Sequence, residues 1–213
     1  MNYSFVQKYT FPVTVASAVA LYLDCEHYIF LHHSIENKYK ILDMYENKYI
    51  SEMHYQSGIF KWKQISTTEY IAPAELKQYD VKIKGFGFAI LANLFNVKTT
   101  LKYYENKKDC EVLDIEKNKN IRLDKNNKIV ISEINYDIDM PFFIYPFKNV
   151  IKRRLEKMKL KKELEDLYFI QRRINLFGSD EPLVDSKYWA PFMKKSYFML
   201  YKEKFIQTFF KNI

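Results

Sequence analysis

The chain has 213 residues, 48% of them hydrophobic and 17% aromatic, with a formal net charge of +8 and a pI near 9.2. That length fits one domain with a terminal appendage, and the apolar share is ample for a core. With four glycines, six prolines and two cysteines there is no glycine-rich phosphate loop, no dinucleotide-binding fingerprint, no disulfide framework and no cysteine-rich metal site.

The 18 Tyr and 17 Phe provide more aromatic surface than a core of this size needs. A basic chain invites nucleic-acid or anionic-membrane partners, but much of the lysine comes with Asn and Ile as a compositional habit, so the charge is informative only where it is concentrated. Cys25 and Cys110 fit a reducing cytoplasm. Residues 11–25 look superficially like a secretory segment, but only Lys8 precedes them as a positive charge and a strand-like stretch leads in. No uninterrupted apolar run reaches the length of a spanning helix.

In chain order, residues 2–14 alternate and predict a strand ending near Pro12. Ala16–Leu23 is Ala-rich and predicts a short helix, with Thr14 or Ser17 as its N-cap. It delivers Asp24-Cys-Glu-His27-Tyr-Ile-Phe-Leu-His32-His33, which holds three of the four histidines of the chain. On an ideal helix His27 and His32 stand about 140° apart, so they meet at one ion only where the helix breaks or winds unevenly. Two imidazoles and a carboxylate with open positions form a facial triad for non-haem iron. The plainer alternative is that these histidines cap or line a helix end.

A long β region follows. Lys38–Tyr45, Tyr49–Gln56, Ile59–Ser66, Glu69–Ile71 and Tyr79–Lys84 read as strands, with Pro73–Gln78 as a connector. The apolar run Phe86–Val97 (FGFAILANLFNV) suits either a buried strand pair or a short helix beneath a cavity. Lys98–Glu105, Cys110–Ile115, Ile121–Leu123 and Lys128–Ile138 are further strands joined by polar turns. One long helix is then expected, with Asp139 as its cap, Pro141 in its first turn, a kink at Pro146 and a stop at Gly178. Phe147, Ile151, Leu155 and Met158 make one apolar stripe, and Leu160, Leu164 and Leu167 a second. The run Lys152–Arg154 and Lys159–Lys162 reads as the solvated face, with Glu156 and Glu163 as helix-spaced partners. Acids interleave these bases, which argues against nucleic-acid binding.

Beyond Gly178 the acidic linker SDEPLVD leads into a basic stretch in which Phe198, Tyr201, Phe205 and Phe209 share a helical face. Residues 1–178 are thus expected to be one domain, and residues 179–213 a linker and amphipathic tail. That tail would either dock on the domain or grip an anionic membrane surface. The order of elements is an α+β pattern: a curved antiparallel sheet wrapped on a long C-terminal helix with an internal cavity.

A strand, a short Ala-rich helix, Asp24-x-x-His27-x4-His32 at its end, a meander and a long closing helix resemble the START-like, birch-allergen-like (SRPBCC) superfamily with its helix-grip fold. Within it, the motif is most similar to the catalytic domain of Rieske-type ring-hydroxylating oxygenases. The resemblance implies mononuclear iron held by His27, His32 and an acid on the last helix, for which Asp166 is the candidate. It gives Asp24 the catalytic coupling role, and it implies an apolar or aromatic small-molecule ligand. There is no Cys/His set for a Rieske cluster, so electrons would come from a separate protein. Asp166 falls within about 60° of the centre of the Ile151/Leu155/Met158 stripe. Its alternative is an exposed acid pairing with Lys162. A reading from another class is a non-catalytic carrier of lipid or another hydrophobic ligand, cytoplasmic or peripheral to a membrane.

Overall fold

The computed structural model describes residues 1–23, 36–45, 48–57, 60–71, 74–85, 94–114, 117–124 and 127–177. The Asp24–His33 stretch, most of the Phe86–Val97 run and the tail from Gly178 onward lie outside the described residues.

Alternation builds the sheet. β9 (Val130–Asp139) buries Val130, Ser132, Ile134, Tyr136 and Ile138 and turns its other side chains outward. It pairs on one side with β1 (Asn2–Phe11), which faces inward with Phe5 and Phe11, and on the other with β6 (Asn96–Glu105). β5 (Glu75–Gly85), β4 (Phe60–Ile71), β3 (Lys48–Ser57) and β2 (Glu36–Met44) continue outward, giving seven antiparallel strands in the order β1-β9-β6-β5-β4-β3-β2. β7 (Cys110–Asp114) and β8 (Lys119–Leu123) form a separate hairpin.

The inner face carries the core, and α1 (Val15–Leu23) and α2 (Lys148–Phe177) lie against it. Val19 of α1 and Ile151 and Leu155 of α2 pack on Phe5, Leu76, Leu101, Ile134 and Tyr136. Further along, Leu167 and Ile170 meet Phe11, Val13, Ala18 and Val130. Thr14 is the N-cap of α1, its hydroxyl accepting from the Ser17 amide at 3.2 Å. The hairpin is tied to the far end of α2 by the Gln171 side-chain amide, which donates to the Leu113 carbonyl at 3.1 Å.

The α+β expectation holds, with corrections at the boundaries. Phe60–Ile71 is one strand rather than two, because its partner β5 absorbs a bulge opposite Ile65–Thr67 with Asp80 at a φ of 53°. β5 begins at Glu75, inside the expected connector. Asp139 does not cap a helix: the period-2 burial of β9 runs on to Met140, and Asp139 is in register with both Asn2 and Asn96. Pro141 lies in the turn that follows, Pro146 sits in a 3-10 turn (Tyr145–Phe147), and α2 starts only at Lys148. Leu160 and Leu164, expected as an apolar stripe with Leu167, are exposed, and so is Phe147.

Candidate functional site

That last correction defines the site. The inner face of α2 begins with Ile151 and Leu155 but continues with Lys159, Lys162, Glu163 and Asp166. Spacings of three, four and seven residues place these four side chains on one helical face. Lys159 and Lys162, expected on the solvated face, therefore point towards the sheet. They line a cavity of about 20 Å³ with Phe11, Ala18, Leu21, Tyr22, Tyr103 and Ile170. That volume is room for about one water molecule.

Buried charge is tolerated only when it is paired. Lys159 Nζ lies 2.5 Å from Glu163 Oε1, with side-chain exposures of 19% and 6%. Burial acts to lower the Lys159 pKa, but Glu163, Tyr136 and Asp166 outweigh it and hold the ammonium above the ordinary lysine value. Lys162 sits differently. Its Nζ lies 5.5 Å from the centroid of the Tyr55 ring, a cation–π placement. Burial pulls its pKa down to about 8 against the opposing pull of Asp166, Glu165 and Glu163. Two ammonium and two carboxylate groups thus share the interior.

Phenols surround them. Tyr3, Tyr9, Tyr39, Tyr49, Tyr55, Tyr70, Tyr103 and Tyr136 all belong to the inner face of the sheet, and Tyr22 joins them from α1. Burial, then Glu163, Tyr22 and Asp166, push Tyr103 far up. Burial likewise raises Tyr55 and Tyr136, so these hydroxyls remain protonated donors. Small polar groups lie between them. Ser51 and Ser66 are buried register partners, and the Gln78 side-chain amide donates to Ser66 Oγ at 2.9 Å.

Of the residues the sequence singled out, Asp166 reaches this inner face beside Lys162, so it is neither on the solvent side nor isolated from its i−4 base. Asp24, His27 and His32 lie outside the described residues. Among the described residues no three His, Cys, Asp or Glu side chains converge as a metal site would require. His54, the histidine among the described residues, is on the outer face of β3, its Nε2 sharing a hydrogen bond with Glu52 Oε1 at 2.7 Å. Asp166 satisfies one geometric requirement of an iron ligand, its presence inside. Its neighbours Lys159 and Lys162 fit a dication poorly, because an ammonium competes for the same carboxylate.

The aromatic strands were expected to line the interior, whereas the inward lysines were not, although they left a signal. Advancing from Ile151 by 11 residues returns to within about 20° of the same direction, and that residue is Lys162.

No family model matches the chain, and no curated protein matches it. Solved structures do. The Zhui aromatase/cyclase from Streptomyces sp. R1128 superposes with a TM-score of 0.52 at 10% identity, covering 88% of this chain and 98% of that one. A START superfamily protein from Mycobacterium smegmatis gives 0.53 at 9%, covering 79% and 97%. The di-domain ARO/CYC StfQ from the steffimycin biosynthetic pathway gives 0.58 at 7%, covering 82% of this chain and 53% of that one. The fold is therefore the START-like helix grip, a seven-stranded antiparallel sheet packed on a long C-terminal helix. The narrower likeness to ring-hydroxylating oxygenases gains no support from these three.

Proposed function

We propose that the chain binds an apolar small molecule bearing a hydrogen-bond-accepting end group, held between the sheet and α2. Its apolar body lies along the tyrosine-rich inner face, and its polar end meets Lys162 and the Tyr103 hydroxyl. One observation carries this reading: four ionisable side chains, Lys159, Lys162, Glu163 and Asp166, occupy the inner face of α2. A core built only for stability is better served by Leu or Met at such positions, and clusters of perturbed titratable groups mark functional sites. The helix-grip architecture adds support, since the structures it resembles include aromatase/cyclases. Ligand pockets occupy roughly 300–1,000 Å³, far more than the cavity of about 20 Å³ beside Lys162, so a ligand extends beyond that cavity. Native mass spectrometry of gently purified full-length protein tests the reading. A bound organic molecule released on denaturation is the expected result, and a native mass equal to that of the bare chain, with nothing in an organic extract of the same preparation, argues against it.

A second reading keeps the iron centre of His27, His32 and Asp166 with Asp24 as the coupling acid, fed with electrons by a separate protein. The spacing Asp24-x-x-His27-x4-His32 and the inward position of Asp166 favour it. Bound iron would supply open coordination positions for oxygen chemistry. Metal analysis separates the two readings: near-stoichiometric iron that disappears in His27→Ala and His32→Ala supports the centre, and equal metal content in all three proteins rejects it.

A further inference from the structure

Most of the outer face of the sheet sets lysines opposite acids, and one end of β2–β5 departs from that pattern. On β5, β6, β9 and β1 lysines stand opposite acids. Lys98 is in register with Asp137, Lys8 and Lys102 with Glu133, and Lys102 with Glu75. Two of these pairs close as salt bridges, Lys8–Glu133 at 2.8 Å and Lys102–Glu75 at 3.2 Å.

On β3, β4 and β5 Lys48 and Lys77 still flank Glu69, but at the other end of these strands lysines gather. Lys38, His54, Lys63 and Lys84 are successive register partners across β2, β3, β4 and β5, so one cross-strand row is basic throughout. In the next row Lys40 and Lys82 stand at the two ends, with Glu52 and Ile65 between them. Lys61 extends the patch along β4. Glu52 accepts from His54 at 2.7 Å and from Lys63 at 3.3 Å, and it is the acid of these two rows. Six lysines therefore face one carboxylate, and Lys38, Lys40, Lys61, Lys82 and Lys84 are exposed.

Lys63 and Lys84 are like charges directly opposite on neighbouring strands, an arrangement that works against the fold unless something anionic covers it. With strands about 4.8 Å apart, the basic row is about 14 Å long. Trp62 and Tyr55, which could offer a stacking platform to a nucleic-acid base, belong to the opposite face of the sheet and stack on each other at 5.3 Å. The basic residues are lysines, point charges without the planar fork that recognises a particular phosphate. A broad field of point charges fits a surface of many anionic headgroups.

We propose that the outer face of β2–β5 docks on an anionic lipid bilayer. Each lysine near such a surface contributes about a fivefold gain in partitioning at moderate salt. The test is co-sedimentation of full-length protein with vesicles of phosphatidylcholine alone and with one quarter phosphatidylserine. Lys61→Gln/Lys82→Gln/Lys84→Gln removes three patch charges, and Lys107→Gln/Lys108→Gln/Lys119→Gln removes three exposed charges elsewhere. Binding to the serine-containing vesicles should fall about a hundredfold in the first variant and only severalfold in the second, and should weaken in high salt. Equal losses in the two variants, a first variant that binds as wild type does, or no preference for anionic vesicles would overturn the proposal. Displacement from vesicles by equimolar duplex oligonucleotide would also overturn it and would point to nucleic acid instead.

Discussion

Glu163→Gln isolates what the inward charges do. The carboxylate is 6% exposed and lies 2.5 Å from Lys159 Nζ, itself 19% exposed. The substitution keeps size and a hydrogen-bonding oxygen but leaves the buried ammonium without its close counter-charge. Breaking one side of a buried pair typically costs about 3–5 kcal/mol, well beyond the loss of one ordinary hydrogen bond. Asp166 adds a weaker field at Lys159, so the lower end of that range, about 3 kcal/mol, is the expected destabilisation. The pair Lys161–Glu165 is an internal control on the same helix, 3.9 Å apart with Lys161 52% exposed. Glu165→Gln should cost no more than about 0.5 kcal/mol. Replacing both buried partners, Lys159→Met with Glu163→Leu, should recover most of the stability or exceed it. Urea unfolding followed by far-UV circular dichroism measures all four proteins, and the single variants Lys159→Met and Glu163→Leu close the cycle that yields the coupling energy. If Glu163→Gln and Glu165→Gln cost the same, the inner face of α2 is effectively solvated and the argument for a polar interior fails.

Other consequences are as specific. Lys162 has its pKa pulled from 10.5 to about 8, so from about pH 8 the unfolded chain holds a proton that the folded chain has released. Lys162 should therefore add about 2 kcal/mol of stability between pH 8 and 10, a gain that the raised Tyr55, Tyr103 and Tyr136 begin to offset from about pH 9 and reverse at higher pH. A Lys162→Met protein whose pH profile matches wild type in that window would contradict the assignment. Gly85 lies where an added Cβ would stand 2.8 Å from Trp62 Cβ and 2.9 Å from the Lys61 carbonyl. Gly85→Ala should lower unfolding free energy by about 1–3 kcal/mol, and a change within experimental error in urea melts would show that β4 and β5 can part there without cost. Deletion after Gly178 should lower the melting temperature if the aromatic face of residues 179–213 docks on the domain, and an unchanged melt would assign that tail to a partner or a membrane instead.

The fold was legible because its determinants are local. Alternation along β1, β3, β6 and β9 and polar turns between strands are periodic signals that tertiary packing reinforces. The start of α2 was not, because Asp139 and Pro141 are equally good helix-start residues and strand-end residues, and only the burial of Met140 decides between them. The interior of α2 was misread for a different reason. Lysine at a core-facing position violates the usual burial preference, so Lys159 and Lys162 read as solvent-facing even though the helical period pointed inward. Asp166 shows both sides of the problem: its angle on the helix was right, while its ionic company depended on which way the lysines turned. Cross-strand rows such as Lys38–His54–Lys63–Lys84 are invisible in sequence, because register is fixed only when the strands pair.

The central claim is that the interior between sheet and α2 holds a ligand through Lys162. Fluorescence titration with anilinonaphthalene sulfonate, an apolar anionic probe, examines it most directly in wild type, Lys162→Met and the outer-face variant Lys84→Gln. The account predicts saturable one-site binding that weakens about tenfold or more in Lys162→Met, as loss of a charge-assisted hydrogen bond requires, and is unchanged in Lys84→Gln. Equal affinity in wild type and Lys162→Met, or fluorescence that never saturates, would contradict it.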